Sequence, residues 1–207
     1  MCKDVARRTY FNASYPEPWV ILGIRLRPFS FGHYLKLRQF DNAFVAEDSR
    51  NATLGDLLLG VAVCSMSSDP DPSRDEFWCW ITEPAKFHWM AWLMGKKPLA
   101  PSERDILKWG KTCKTDVDLA EKCKMFQNYL EEHSKSPSYW ILKEGGGKNS
   151  GAHWSHAIIH SLCARSGYTQ QQAYNVPMSK ALMDFYRSAE EEGVVRLMTE
   201  EEVVNGA

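Results

Sequence analysis

The stretch "TLGDLLLGVAVCSM", Thr53 to Met66, most constrains what this chain can fold into. Its apolar residues fall on every side of a helix, so a helix formed here has no face to give to water and must be surrounded by other elements. It is too short to span a bilayer and it carries Asp56, so a membrane is not expected as a partner. Thr53-x-x-Asp56 supplies a capping-box-like start, with Asp in place of the usual Glu or Gln. The expectation is a central, buried helix. A chain of 207 residues with 44% apolar and 25% charged residues can enclose it. The 12% of aromatic residues, eight of them tryptophan, argue against disorder, which goes with few aromatics.

Helices are expected on either side. The β-branched and aliphatic run "WVILGIRLRPF" suits a short extended segment ending at Pro28. Ser30 then reads as an N-cap for "FGHYLKLRQFDNAF", with Phe31, Tyr34, Leu35, Leu37 and Phe40 as its apolar face. A loop, "SSDPDPSRDE", precedes a Trp-rich region in which Pro84, Gly95 and Pro98 separate short helices. Ser102 opens a long amphipathic helix to about His133, with a kink at Gly110. "YWILK" reads as a second short strand. The fold class is therefore mainly α: a helical bundle-like body with at most two short strands, followed by a small helical C-terminal subdomain. The division falls into a body of residues 1–144 with an N-terminal arm, a Gly-rich hinge at 145–151, and a subdomain of 152–207.

The last segment is strongly patterned. Gly167 ends one helix, Thr169-x-x-Gln172 is a capping box, and Pro177 suits the first turn of the next helix. Met178, Ala181, Leu182, Phe185 and Ala189 make a buried stripe that stops at Gly193. A Thr-Glu cap signal closes "VVRLMTEEE".

Charge excludes some functions. The net charge is −1. Residues 1–50 carry eight Lys/Arg against five Asp/Glu, and residues 168–207 carry three against seven. The acidic end repels phosphate, so nucleic acid is not expected as a partner. A helix-turn-helix reading of the C-terminal helices is a minor alternative, because the second helix offers only Lys180 and Arg187. "GGGKN" is not a phosphate loop: Leu142 stands where the first glycine belongs, and Asn149 follows Lys148. Cys2, Cys64, Cys79, Cys113, Cys123 and Cys163 form no CxxC pair, and no apolar leader precedes them. They are expected to be reduced thiols in a cytoplasmic protein, most of them small core residues.

"HWSHAIIHSLC", residues 153–163, is the sharpest hint of chemistry. At roughly 100° per residue, Trp154, Ala157, Ile158, Ser161 and Leu162 take one side, expected to be the core face. His153, His156, His160 and Cys163 gather within about 80° on the other. His156 and His160 have the i, i+4 spacing that chelates one ion. All four groups cannot reach one metal, and "AII" between the two histidines lacks the glutamate of a zinc protease helix. A solvated polar face is the plainer reading. A metal-dependent enzyme on His156 and His160 remains the alternative; no cofactor and no catalytic residue is otherwise expected.

"LRPFSFGHYLKLRQFDNAFV" with "TLGDLLLGVAVCS", and "GYTQQQAYNVPMSKALMDFYRSAEEEGVVRLMTEEE", resemble the tail assembly chaperones encoded among phage and prophage tail genes. The resemblance covers residues 22–66 and 152–202, and its motifs are packing and capping patterns. It implies a non-enzymatic protein of the host cytoplasm that binds the tape-measure protein and keeps its long apolar helices soluble. A structural component retained in the virion, with self-association, is the alternative it leaves open. A surface that can repack suits such a role, and Met and Trp supply it. Met66, Trp78, Trp80, Trp89, Met90, Trp92 and Met94 are the candidate partner-binding residues.

Overall fold

The computed structural model describes residues 17–46, 51–75, 77, 108–142 and 153–204. The fold is mainly α, and its only strands among those residues form two short antiparallel pairs. The first extended segment folds back on itself as β1 (Val20–Ile21) and β2 (Ile24–Arg25), with Ile21 opposite Ile24. The two loop residues, Leu22 at φ 53° and Gly23 at φ 75°, both occupy the left-handed region, as a tight turn between right-twisted strands requires. Gly23 adopts it freely, whereas Leu22 does so at a steric cost, held by its burial.

Helix α1 (Phe31–Gln39) starts where Ser30 accepts the His33 N–H, and α2 (Leu54–Ser65) where Thr53 and Asp56 cap each other. α2 is the centre: Leu57, Gly60 to Cys64 and Ser65 are buried. The turn after α1 is fastened to its start, since Ala43 N–H donates to Asp56 Oδ1 and Asn42 Nδ2 to the Asp56 carbonyl. The expected long helix from Ser102 is shorter. α3 runs Asp116–His133 behind a Thr115/Asp118 capping box, and a separate helical turn at 108–110 ends at Gly110. Thr115 Oγ1 accepts the Asp118 N–H, so a helix begins there instead of passing through. Phe126, Tyr129, Leu130 and His133 are its buried side, and Tyr129 Oη donates to the Arg27 carbonyl at 2.7 Å.

The second extended segment, β3 (Tyr139–Ile141), pairs with β4 (Val195–Leu197), read from sequence only as the lead-in to a cap. Between them lie α4 (Trp154–Arg165), α5 (Gln170–Asn175) and α6 (Met178–Glu191); α7 (Glu200–Val204) follows β4. The Thr169/Gln172 and Thr199/Glu202 caps form, and Gly193 ends α6 at φ +69°. These elements dock onto the rest through backbone groups. Met178 N–H donates to the Phe29 carbonyl at 2.8 Å, and the Asn175 side chain exchanges hydrogen bonds with the Ser68 backbone. One hydrophobic cluster holds Phe29, Leu37, Val61 and Phe126 together with Ile158, Leu162, Met178 and Leu182.

A polar network lies beside this core. Lys36 and Asp75 are both buried and pair at 2.5 Å. His33 accepts the Ser30 N–H at Nδ1, so its Nε2–H is the group that donates to the Met66 carbonyl at 2.7 Å. That tautomer is neutral, and burial pushes its pKa down to about 3.

Candidate functional site: an apolar cleft between helices

Side chains from α1, α3, α4 and α6 leave a cleft of ≈ 640 Å³ between them. Tyr34 and Trp154 form one wall: their rings sit 5.3 Å apart and the indole also meets Phe31 edge-on at 5.8 Å. Phe44 and Leu130 form another, and Met178, Leu182 and Phe185 come from α6. No charged side chain is among the lining residues described. Two of its hydroxyls have partners inside the protein. Ser134 Oγ donates to the Leu130 carbonyl at 2.6 Å, and Tyr186 Oη donates to Tyr139 Oη at 3.3 Å. Burial and the Tyr139 hydroxyl push the Tyr186 phenol up to about 12, so it stays neutral. Such a lining can exclude water from an apolar group.

The local sequence explains how α4 presents this wall. Its buried residues are Ser155, Ile158, Ile159 and Leu162, at steps of three, one and three. The core face is therefore turned from the expected one. Trp154 is 44% exposed and Ala157 is exposed. Small Ser155 lets the helix approach its neighbours, and the bulky Trp154 of the first turn lies across the cleft wall. His153 is the N-cap, not a helix residue: its Nδ1 faces Ser155 Oγ at 2.8 Å, and its ring stacks on Tyr34 at 6.0 Å.

The histidine face thus loses one member to capping. His156 and His160 remain exposed on α4 and Cys163 is half-buried. Among the described residues no group of three or more His, Cys, Asp or Glu side chains is placed to hold a metal ion. Cys64 is buried, and burial pushes its thiol up to about 12. Trp78, Trp80, Trp89, Met90, Trp92 and Met94 lie outside the described residues. Met66, grouped with them from sequence, is wholly buried and serves instead through its carbonyl. The 145–151 hinge also lies outside the described residues.

A second hollow, of ≈ 460 Å³, lies between α5 and α6 beside Tyr168 and Lys180. Its cation is engaged: Lys180 Nζ reaches Asp184 Oδ2 at 2.6 Å and the Tyr168 hydroxyl at 3.0 Å. Burial works against this ammonium, but those two bonds outweigh it and hold its pKa above the ordinary value. Arg187, the other cation of α6, pairs with Glu191. The apolar cleft is the better candidate site, because its uncharged lining converges from four helices, whereas the polar groups of the second hollow are engaged with each other.

The chain matches no protein-family model, no curated protein and no solved structure with which it was compared. Among the described residues no helix is long and apolar enough to cross a membrane. Sequence reasoning had Tyr34, Met178, Leu182 and Phe185 as ordinary apolar stripes, and it did not gather them into one site. Each helix supplies only one to four of the lining residues, and the rest come from connecting segments, so the convergence is visible only once the helices are packed.

Proposed function

We propose that this chain is a non-enzymatic tail assembly protein of a phage or prophage. In this reading it is a chaperone of the host cytoplasm that holds an apolar helical segment of the tape-measure protein. The observation that carries the reading is the uncharged cleft walled by Tyr34, Phe44, Trp154 and Met178. An amphipathic helix laid into such a groove buries its apolar stripe, and aromatic and Met side chains adapt to different sequences. The resemblance of residues 22–66 and 152–202 to tail assembly chaperones supports the same reading.

Ala157 gives a clean test, since it lines the cleft yet is exposed. Ala157→Glu puts a charge in the groove without touching the core and keeps a good helix former. In calorimetric titration with a synthetic amphipathic helix from a tape-measure protein, the parent chain should bind and A157E should bind at least about tenfold more weakly. Equal binding by both would remove the cleft from the account. No binding by the parent chain would remove the proposed partner.

A further inference from the structure

Beside the cleft, β3 has backbone groups turned away from β4 that have no hydrogen-bond partner among the described residues. Leu142 N–H donates to the Val194 carbonyl and Met198 N–H to the Ser138 carbonyl. Ser138, Trp140 and Leu142 therefore face β4, and Tyr139 and Ile141 turn their N–H and carbonyl groups the other way. On the outer side of β4 the Leu197 N–H is already engaged, donating to Glu190 Oε1 at 2.8 Å. The β3 edge is also apolar: Trp140 is 38%, Ile141 67% and Leu142 56% exposed. Exposed edges are normally blunted by charge, proline or a bulge. Here no charged residue stands between Lys135 and Lys143, and Pro137 precedes the strand.

We propose that the free edge of β3 is a self-association surface, where a second copy of this chain adds its own β3 antiparallel to make a four-stranded sheet. The strand is complementary to itself. With Tyr139 opposite Ile141 of the second copy, and Ile141 opposite its Tyr139, both outward residues of each strand are paired about a two-fold axis at Trp140. The two Trp140 side chains then face each other in a closely spaced position, where aromatic pairs stabilise a sheet. In that register no lysine of one copy falls opposite a lysine of the other. A shift toward Ser138 would bring Pro137, which has no N–H, into the ladder. The exposed side chains supply only a fraction of the ~800 Å² per partner of a stable interface. The dimer is accordingly a reversible one that forms as concentration rises.

Sedimentation velocity across roughly 1–300 μM tests this. The parent chain should pass from monomer to dimer. Ile141→Pro removes an N–H that points away from β4, so the β3–β4 ladder survives; Ile141→Lys adds edge charge. Each should weaken the dimer at least about tenfold, with far-UV dichroism unchanged. As a second measurement independent of those variants, Trp140→Cys treated with oxidised glutathione should give more disulfide-linked dimer than the parent chain. Ser136→Cys, off the axis, should not. A monomer at all concentrations would overturn the proposal. So would a dimer indifferent to both Ile141 variants, or a Trp140→Cys chain that links no more than Ser136→Cys does.

Discussion

Gly60 decides how closely α2 and α3 pack, and its replacement by alanine has a calculable outcome. A β-carbon built there lies 2.7 and 2.8 Å from Phe126 Cζ and Cε1, and 3.4 Å from Cε2. Unstrained carbon contacts sit at about 3.5–4.0 Å, so the overlap is most of an ångström against two atoms. The ring has little room to retreat. Phe126 is fully buried, with the Phe44 ring 4.8 Å away on one side and Tyr129 5.5 Å away on another. Alanine gains ~0.8–1 kcal/mol over glycine in a helix interior, whereas overpacking a filled core costs ~1–3 kcal/mol. G60A should therefore be net destabilised by roughly 1–2 kcal/mol. Urea denaturation reads this as a lowered midpoint at unchanged slope. Gly55 is the control: it is exposed, and the nearest neighbour of its added β-carbon is Thr53 Oγ1 at an ordinary 3.5 Å. G55A should be neutral or stabilised by up to ~1 kcal/mol. Phe126→Leu should recover part of the G60A loss in a double-mutant cycle. If G60A proved as stable as G55A, the close packing of α2 on Phe126 would be refuted.

Three other predictions follow the buried polar groups and the histidine face. Because the folded pKa of His33 lies near 3, below the unfolded 6.5, its contribution is intact above pH 6.5 and is lost as pH falls toward 3. Melting followed from pH 7 to 4.5 should show that slope, up to ~1.4 kcal/mol per pH unit, and His33→Gln should flatten it. Lys36→Met removes the lysine that pairs with the buried Asp75 and should cost ~3–5 kcal/mol in urea; Lys36→Met/Asp75→Asn should regain much of it, and no regain would contradict the pairing. Elemental analysis should find no stoichiometric zinc, and His156→Ala/His160→Ala should leave the melting temperature within a degree or two, as surface changes do.

The legible parts of the fold were those written in local chemistry. Thr53, Thr169 and Thr199 announce helix starts because a hydroxyl and an acid or amide three residues on satisfy each other's amides. The unbroken apolar run of α2 required it to be central, and it is. The parts that were not legible depend on partners distant in sequence. His33 and Lys36 lie outside the apolar face expected of α1, yet both are buried, because the Met66 carbonyl and Asp75 are brought to them by the chain after α2. The strand "VRL" pairs with Tyr139–Ile141, more than fifty positions earlier, a pairing no local pattern encodes. The face of α4 was misjudged by one step because periodicity gives the stripe's width, while the packing of Ser155 and Ile159 sets its centre.

The most direct test of the cleft as a partner site is methyl NMR on methionine-labelled protein, titrated with the tape-measure helix. Met178 lines the cleft, whereas Met125 and Met198 do not. The Met178 methyl should shift on binding and saturate with the helix, while Met125 and Met198 stay in place. A response confined to other methionines, such as Met90 and Met94 of the Trp-rich segment, would contradict it.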